Sequence, residues 1–151
     1  MTNQSSRLAF SVRMTTILMI MALFIQFLLG MYTNLFIDLP RVTMQGPGAW
    51  MLNMRRMMSV GFLDPLFMIH MIIGMLLVLG AIAAVVVAVT AKQTPLIIIT
   101  VIGLVSVFVA AYGGLTFFMN GQHNSASYTM AIGWLSAITT YFMGYATSVS
   151  G

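Results

Sequence analysis

After Asp64 the chain runs to Gly151 with a single charged side chain, Lys92. A segment of this kind cannot cover a water-facing surface, because soluble globular proteins carry roughly a quarter of their residues as charged groups. The whole chain has 151 residues, 60% of them hydrophobic, with six Lys+Arg and two Asp+Glu, both of the latter Asp. A soluble fold and a disordered chain are therefore excluded. The six basic residues are too scattered for the clustered basic face that a nucleic acid requires. With no cysteine present, disulfides, thiolate metal sites and cysteine nucleophiles are excluded as well. The solvent for this chain is a lipid bilayer.

A helix crossing about 30 Å of hydrocarbon needs roughly 20 apolar residues, and four segments qualify. The first runs from about Met14 to Ile37, after Arg7 and Arg13. It is too long for a signal-peptide core and no small-x-small site follows it, so it is expected to be retained. The second opens at Asp64-Pro65, an acid suited to cap a helix and a proline suited to its first position, and runs to about Val89. The third extends from near Pro95 to Met119. The fourth extends from near Ser127 to Val149, with Asn124 and Ser125 as candidate caps. The expected fold is all-α: one integral membrane four-helix transmembrane bundle over residues 1–151, with spans at about 14–37, 65–89, 95–119 and 127–149.

The second and third connections are short, so their helices should be antiparallel neighbours. The first connection, Asp38 to Leu63, is long and holds a helical candidate of its own from Trp50. Met51, Met54, Met57 and Met58 fall on one stripe there, with Asn53, Arg55 and Arg56 nearer the other. Such a segment suits an interfacial helix or a lid packed on the bundle end. Arg7, Arg13 and Lys92 lie on one side of the membrane and Arg41, Arg55 and Arg56 on the other, so the positive-inside rule ties. The N-terminal amine tips the balance toward a cytoplasmic N-terminus in a multi-pass protein of a prokaryotic cell membrane. Small residues should mediate helix contacts: Gly80, Ala84 and Ala88, then Ala110 and Gly114, then Gly144 and Ser148.

Polar side chains within spans are the strongest pointers to function in such a protein. Gln26, Asn34, His70 and several Ser and Thr qualify. His70 stands about 8 Å into its helix at 1.5 Å per residue, and His123 precedes the fourth span. Both belong to the same leaflet as Asp38, Arg41, Arg55, Arg56 and Asp64. Imidazole is a common ligand of haem iron, and Arg41, Arg55 and Arg56 could pair with haem propionates. The alternative is that His70 hydrogen-bonds a neighbouring helix and His123 is solvated. The sixteen methionines offer thioether ligands for Cu(I), but they are scattered and serve equally as apolar filler. Without Glu, a buried Asp pair or a Ser–His–acid order, catalysis has little to work with.

The two halves of the chain echo each other. Gly30-Met31-Tyr32-Thr33 parallels Gly113-Gly114-Leu115-Thr116, and His70-Met71-Ile72-Ile73-Gly74 parallels Thr129-Met130-Ala131-Ile132-Gly133, as in a two-helix duplication. This alignment sets His70 against Thr129. In these residues the chain resembles the haem A synthase family, which carries Gln-x-x-Leu-Gly-x-x-Thr near the end of one span and then a His-led span. The matching runs are Gln26-Phe27-Leu28-Leu29-Gly30-Met31-Tyr32-Thr33 and His70 to Gly74. Gly113-Gly114-Leu115-Thr116 is similar to the family's Gly-Gly-x-Thr segment, with Phe117 where Arg usually follows. The resemblance covers residues 26–77 best and 113–134 less well, and the order of the two helix pairs is exchanged.

The resemblance implies a single four-helix unit of a family usually built from two, with His70 as a haem ligand. His123, in the same leaflet but displaced from the helix, is the candidate second ligand of the metal. The family's acidic residue beside its other histidine has no counterpart, so the implied activity is haem b binding with electron transfer or haem handling, short of full haem A synthesis. One unit in place of two implies a homodimer. Two further classes stand beside this reading: a non-catalytic small subunit or assembly factor of a larger, respiratory-type membrane complex, and an oligomeric channel, which the lack of charged pore-lining residues disfavours.

Overall fold

Asp64 opens a helix as its chemistry dictates. Its backbone is extended, its carboxylate accepts from Leu66 N at 2.9 Å and Phe67 N at 3.1 Å, and Pro65 takes the first helical position, where no donor is missed. This helix is one of five in the computed structural model, which describes residues 2–38, 46, 48–119 and 122–150. In order they are α1 (Thr2–Phe36), α2 (Ala49–Leu63), α3 (Pro65–Thr90), α4 (Thr94–Met119) and α5 (Asn124–Ser150). No strand occurs among the described residues.

Among the described residues, three helices are long and apolar enough to cross a membrane: α1 over Phe10–Phe36, α3 and α4. The 27 residues of α5 give it about 40 Å of length, but Ser125, Ser127, Thr129, Ser136, Thr139, Thr140, Thr147 and Ser148 make it less apolar. It also starts earlier than expected. His123 O, just outside the helix, accepts from Ala126 N and Ser127 N, which places Asn124 and Ser125 in the first turn rather than at the cap.

α1 packs against α3 and α5, and α4 packs against the same two helices, so the four long helices form a ring of neighbours. Contacts between numbered partners show that adjacent members run antiparallel. Gly80 meets Met19 and Gly74 meets Gln26 across α1–α3, while Gly103 meets Tyr141 and Gly113 meets Met130 across α4–α5. The central core joins Met19 and Leu23 to Leu77, Ala81, Ala84, Val107, Ala137 and Tyr141. A second cluster of Ile37, Phe67, Phe117, Phe118 and Ala126 closes the end nearest α2.

The α4–α5 contact is the tightest. A Cβ on Gly113 would lie 2.6 Å from Met130 N, and one on Gly133 would collide with the Ala110 backbone. Apolar lipid supplies no hydrophobic drive between helices, so close backbone approach and dispersion must supply the association. Of the small residues expected at contacts, Ala84 and Ala88 are buried and Gly144 faces Ile99 and Thr16. Gly114 makes only ordinary contact with Met130 Sδ.

α2 packs on α3 and α4. The described methionines of α2 do not share one environment: Met51 and Met58 are 66% and 53% exposed, whereas the polar Asn53 is 6% exposed. Met54 is half-buried, and the Met57 side chain lies outside the described residues.

Candidate functional site

Gln26 and Gly30 stand one turn apart on α1, and His70 and Gly74 stand one turn apart on α3. Antiparallel packing sets the pairs against each other in reverse order. A Cβ on Gly30 would sit 3.2 Å from His70 Cε1, and a Cβ on Gly74 would sit 3.0 Å from Gln26 Nε2. Each glycine is thus the notch that receives the polar side chain of the other helix. Gln26 Nε2 lies 3.5 Å from His70 Nε2, so the amide can donate to the imidazole when that nitrogen carries no proton. Gln26 Oε1 and His70 Nδ1 are buried without a hydrogen-bond partner.

The surroundings hold this stretch of α1 firmly. Trp134 of α5 donates from Nε1 to Leu23 O at 2.8 Å and stacks on Phe27 with ring centroids 4.4 Å apart. Thr33 donates to Leu29 O. Toward the α2 end, Tyr32 Oη lies 3.5 Å from Asp64 Oδ2, and the Gln122 side-chain amide donates to Ile37 O.

The α4–α5 pair also sets glycines against the facing helix, Gly113 at Met130 and Gly133 at Ala110, but there the nearest atoms are backbone. The internal echo therefore has a spatial counterpart. The residue opposite Gly113, the counterpart of Gly30, is Met130, however, one position on from the Thr129 that the sequence alignment matched to His70. Polarity at this position belongs to one half only.

The other sequence-derived site residues do not join His70. His123 is exposed just before α5, and Arg55 and Arg56 are exposed on α2. Arg41 lies outside the described residues. No group of three or more His, Asp or Glu residues able to hold a metal ion occurs among the described residues. A groove of about 500 Å³ on the α1–α3 seam is lined by residues including Leu18, Ala22, Ile25, Ile73, Leu76 and Gly80, and by neither histidine.

Haem b requires an imidazole nitrogen free to point at iron, with space for a flat macrocycle beyond it. Here Nε2 faces Gln26, and the ring edge rests on Gly30. With His123 exposed elsewhere, the residues as they stand do not fit a bis-histidyl haem b. His70 Nε2 lies against Gln26 of α1, and His123 is exposed.

Sequence reasoning missed Arg13. Its Nε and Nη2 donate to Ser148 O at 2.9 and 2.8 Å, tying α1 to the last turn of α5, where free carbonyls and the helix dipole favour a cation. A basic residue near the start of one helix, level with the end of an antiparallel neighbour, was the available signal. Tyr141, fully buried against Gly103 with its hydroxyl unpartnered, was also missed. Comparison with protein-family models, curated proteins and solved structures found no match to this chain.

Proposed function

We propose that α5 crosses the bilayer with α1, α3 and α4 as a four-helix transmembrane bundle with a cytoplasmic N-terminus. In this reading the protein acts through contacts rather than chemistry, as a small non-catalytic subunit or assembly factor of a larger membrane complex. The observation that carries the reading is how the polar side chains inside the helices are used. Thr16, Thr33, Thr100, Ser106, Thr140 and Thr147 each donate to a carbonyl four residues back in their own helix. Hydroxyls satisfied in this way are tolerated in hydrocarbon, which also supports the crossing of α5. Gln26 and His70 face each other, and Trp134 is bound to Leu23 O.

Of the two carboxylates, Asp64 caps α3 and Asp38 is exposed beyond the end of α1. No carboxylate within the described spans is left for acid–base work or a proton relay. Extraction of the full chain in mild detergent and native mass spectrometry test the proposal. A stoichiometric assembly with a second protein is expected, whereas a species containing only copies of this 16.5 kDa chain would overturn it.

A second reading, a haem-b protein of the haem A synthase type, is favoured by one observation: His70 Nδ1 is buried without a partner. It requires the imidazole to leave its contact with Gln26. Its test is the absorption spectrum of the haem-supplied protein, with and without His70.

A further inference from the structure

The described side chains of α2 are not sorted as in a helix facing water. Its polar Asn53 is buried, while Met51, Leu52 and Met58 are 66%, 44% and 53% exposed. A water-facing lid would turn the methionines inward and leave the asparagine outside. Among its described side chains α2 thus exposes apolar Met51, Leu52 and Met58 beside polar Arg55, Arg56 and Ser59, a mixed surface suited to an apolar–polar boundary. Its level in the membrane follows from connectivity, because α2 ends at Leu63, directly before the Asp64 cap of the crossing helix α3.

Two exposed arginines, Arg55 and Arg56, share that surface. Consecutive positions lie about 100° apart around a helix, so the two guanidinium groups flank the arc that holds Leu52 and Ser59. The protein has few carboxylates to offer them: of its two Asp and no Glu, Asp64 is engaged by the backbone of α3, and the single exposed carboxylate of Asp38 cannot balance two guanidinium groups. α2 itself contains no acidic residue. A guanidinium at the apolar–polar boundary without an internal anion is matched by an external one, and the anion found at that depth is the phosphate of a lipid headgroup.

We infer that α2 is a binding surface for anionic phospholipid, with Met51, Leu52 and Met58 seated among acyl chains and Arg55 and Arg56 on headgroup phosphates. The inference rests on the membrane placement of α3 and is independent of whether the protein is a subunit or a haem carrier. A basic side chain near a charged bilayer surface strengthens anionic-lipid binding by roughly fivefold.

The test reconstitutes the full chain in vesicles of phosphatidylcholine containing a minor share of phosphatidylglycerol. The protein is re-extracted in mild detergent and the lipid it retains is quantified. Phosphatidylglycerol is expected to be enriched about fivefold or more over its share in the vesicle, with the enrichment falling as salt is raised. The doubly substituted R55Q/R56Q chain, its helical circular dichroism unchanged, should retain lipid at the vesicle ratio. Lys92→Gln, at the opposite end of α3, should leave the enrichment intact. Retention at the vesicle ratio by the native chain, or equal loss in Lys92→Gln, would overturn the inference.

Discussion

His70 Nε2 lies 3.5 Å from Gln26 Nε2 across the α1–α3 seam. Gly30 and Gly74 make that approach possible, since a side chain at either would press on the imidazole or the amide. The polar pair therefore works as a register device: sliding α3 along α1 would place both groups against apolar neighbours, where an unsatisfied polar group is costly.

The two side chains should be energetically coupled. Removing one buried hydrogen-bonding partner costs about 1–3 kcal/mol, while replacing both with apolar groups is far less damaging. His70→Leu and Gln26→Leu are each expected to destabilise the protein by about 1–2 kcal/mol, and the double variant by less than their sum. The coupling should stay within about 2 kcal/mol, the range of hydrogen bonds between membrane helices. Reversible unfolding in mixed micelles measures all three; additive losses would mean that the side chains do not meet.

The glycines of the α4–α5 pair should divide sharply. Gly133→Ala and Gly113→Ala place a Cβ against backbone atoms of the facing helix, and overpacking of this kind costs about 1–3 kcal/mol. Gly114→Ala meets only Met130 Sδ at 3.5 Å and gains helix propensity of up to about 1 kcal/mol. Thermal unfolding in detergent should show the first two less stable than the native protein and the third equal or more stable.

Arg13 should matter beyond its charge. Its two hydrogen bonds to Ser148 O place a cation at the C-terminal end of α5, and their loss in Arg13→Ala is expected to cost about 1 kcal/mol. Arg13→Lys should recover part of this, because the charge remains and the fork does not. Amide exchange in the last turn of α5 reports the same change locally, and unchanged protection there in Arg13→Ala would contradict the contact.

Much of the fold was legible because lipid leaves few choices. The Asp64-Pro65 start, the short turn carrying Lys92 and the long apolar stretches each point to one outcome. The α5 boundary was not legible, because Asn124 and Ser125 suit the cap by type, whereas His123 O receives the first amides. The face of α2 was left open between an interfacial helix and a lid, because a stripe of methionines marks apolarity and does not say which side faces the protein. At the candidate site, Gln26, Gly30, His70 and Gly74 were all visible as motif residues. Their reciprocal placement was not, since it depends on the antiparallel register of α1 and α3. Arg13 and Ser148 are far apart in sequence, and their contact follows only from helix lengths.

His70 packs on Gln26 and Gly30 as a helix contact. The absorption spectrum of the full chain, produced with haem in excess and purified, tests it most directly. No Soret band above that of unbound haem is expected, and no spectral difference between the native protein and His70→Ala. A Soret band that is present in the native chain and abolished by His70→Ala would contradict it.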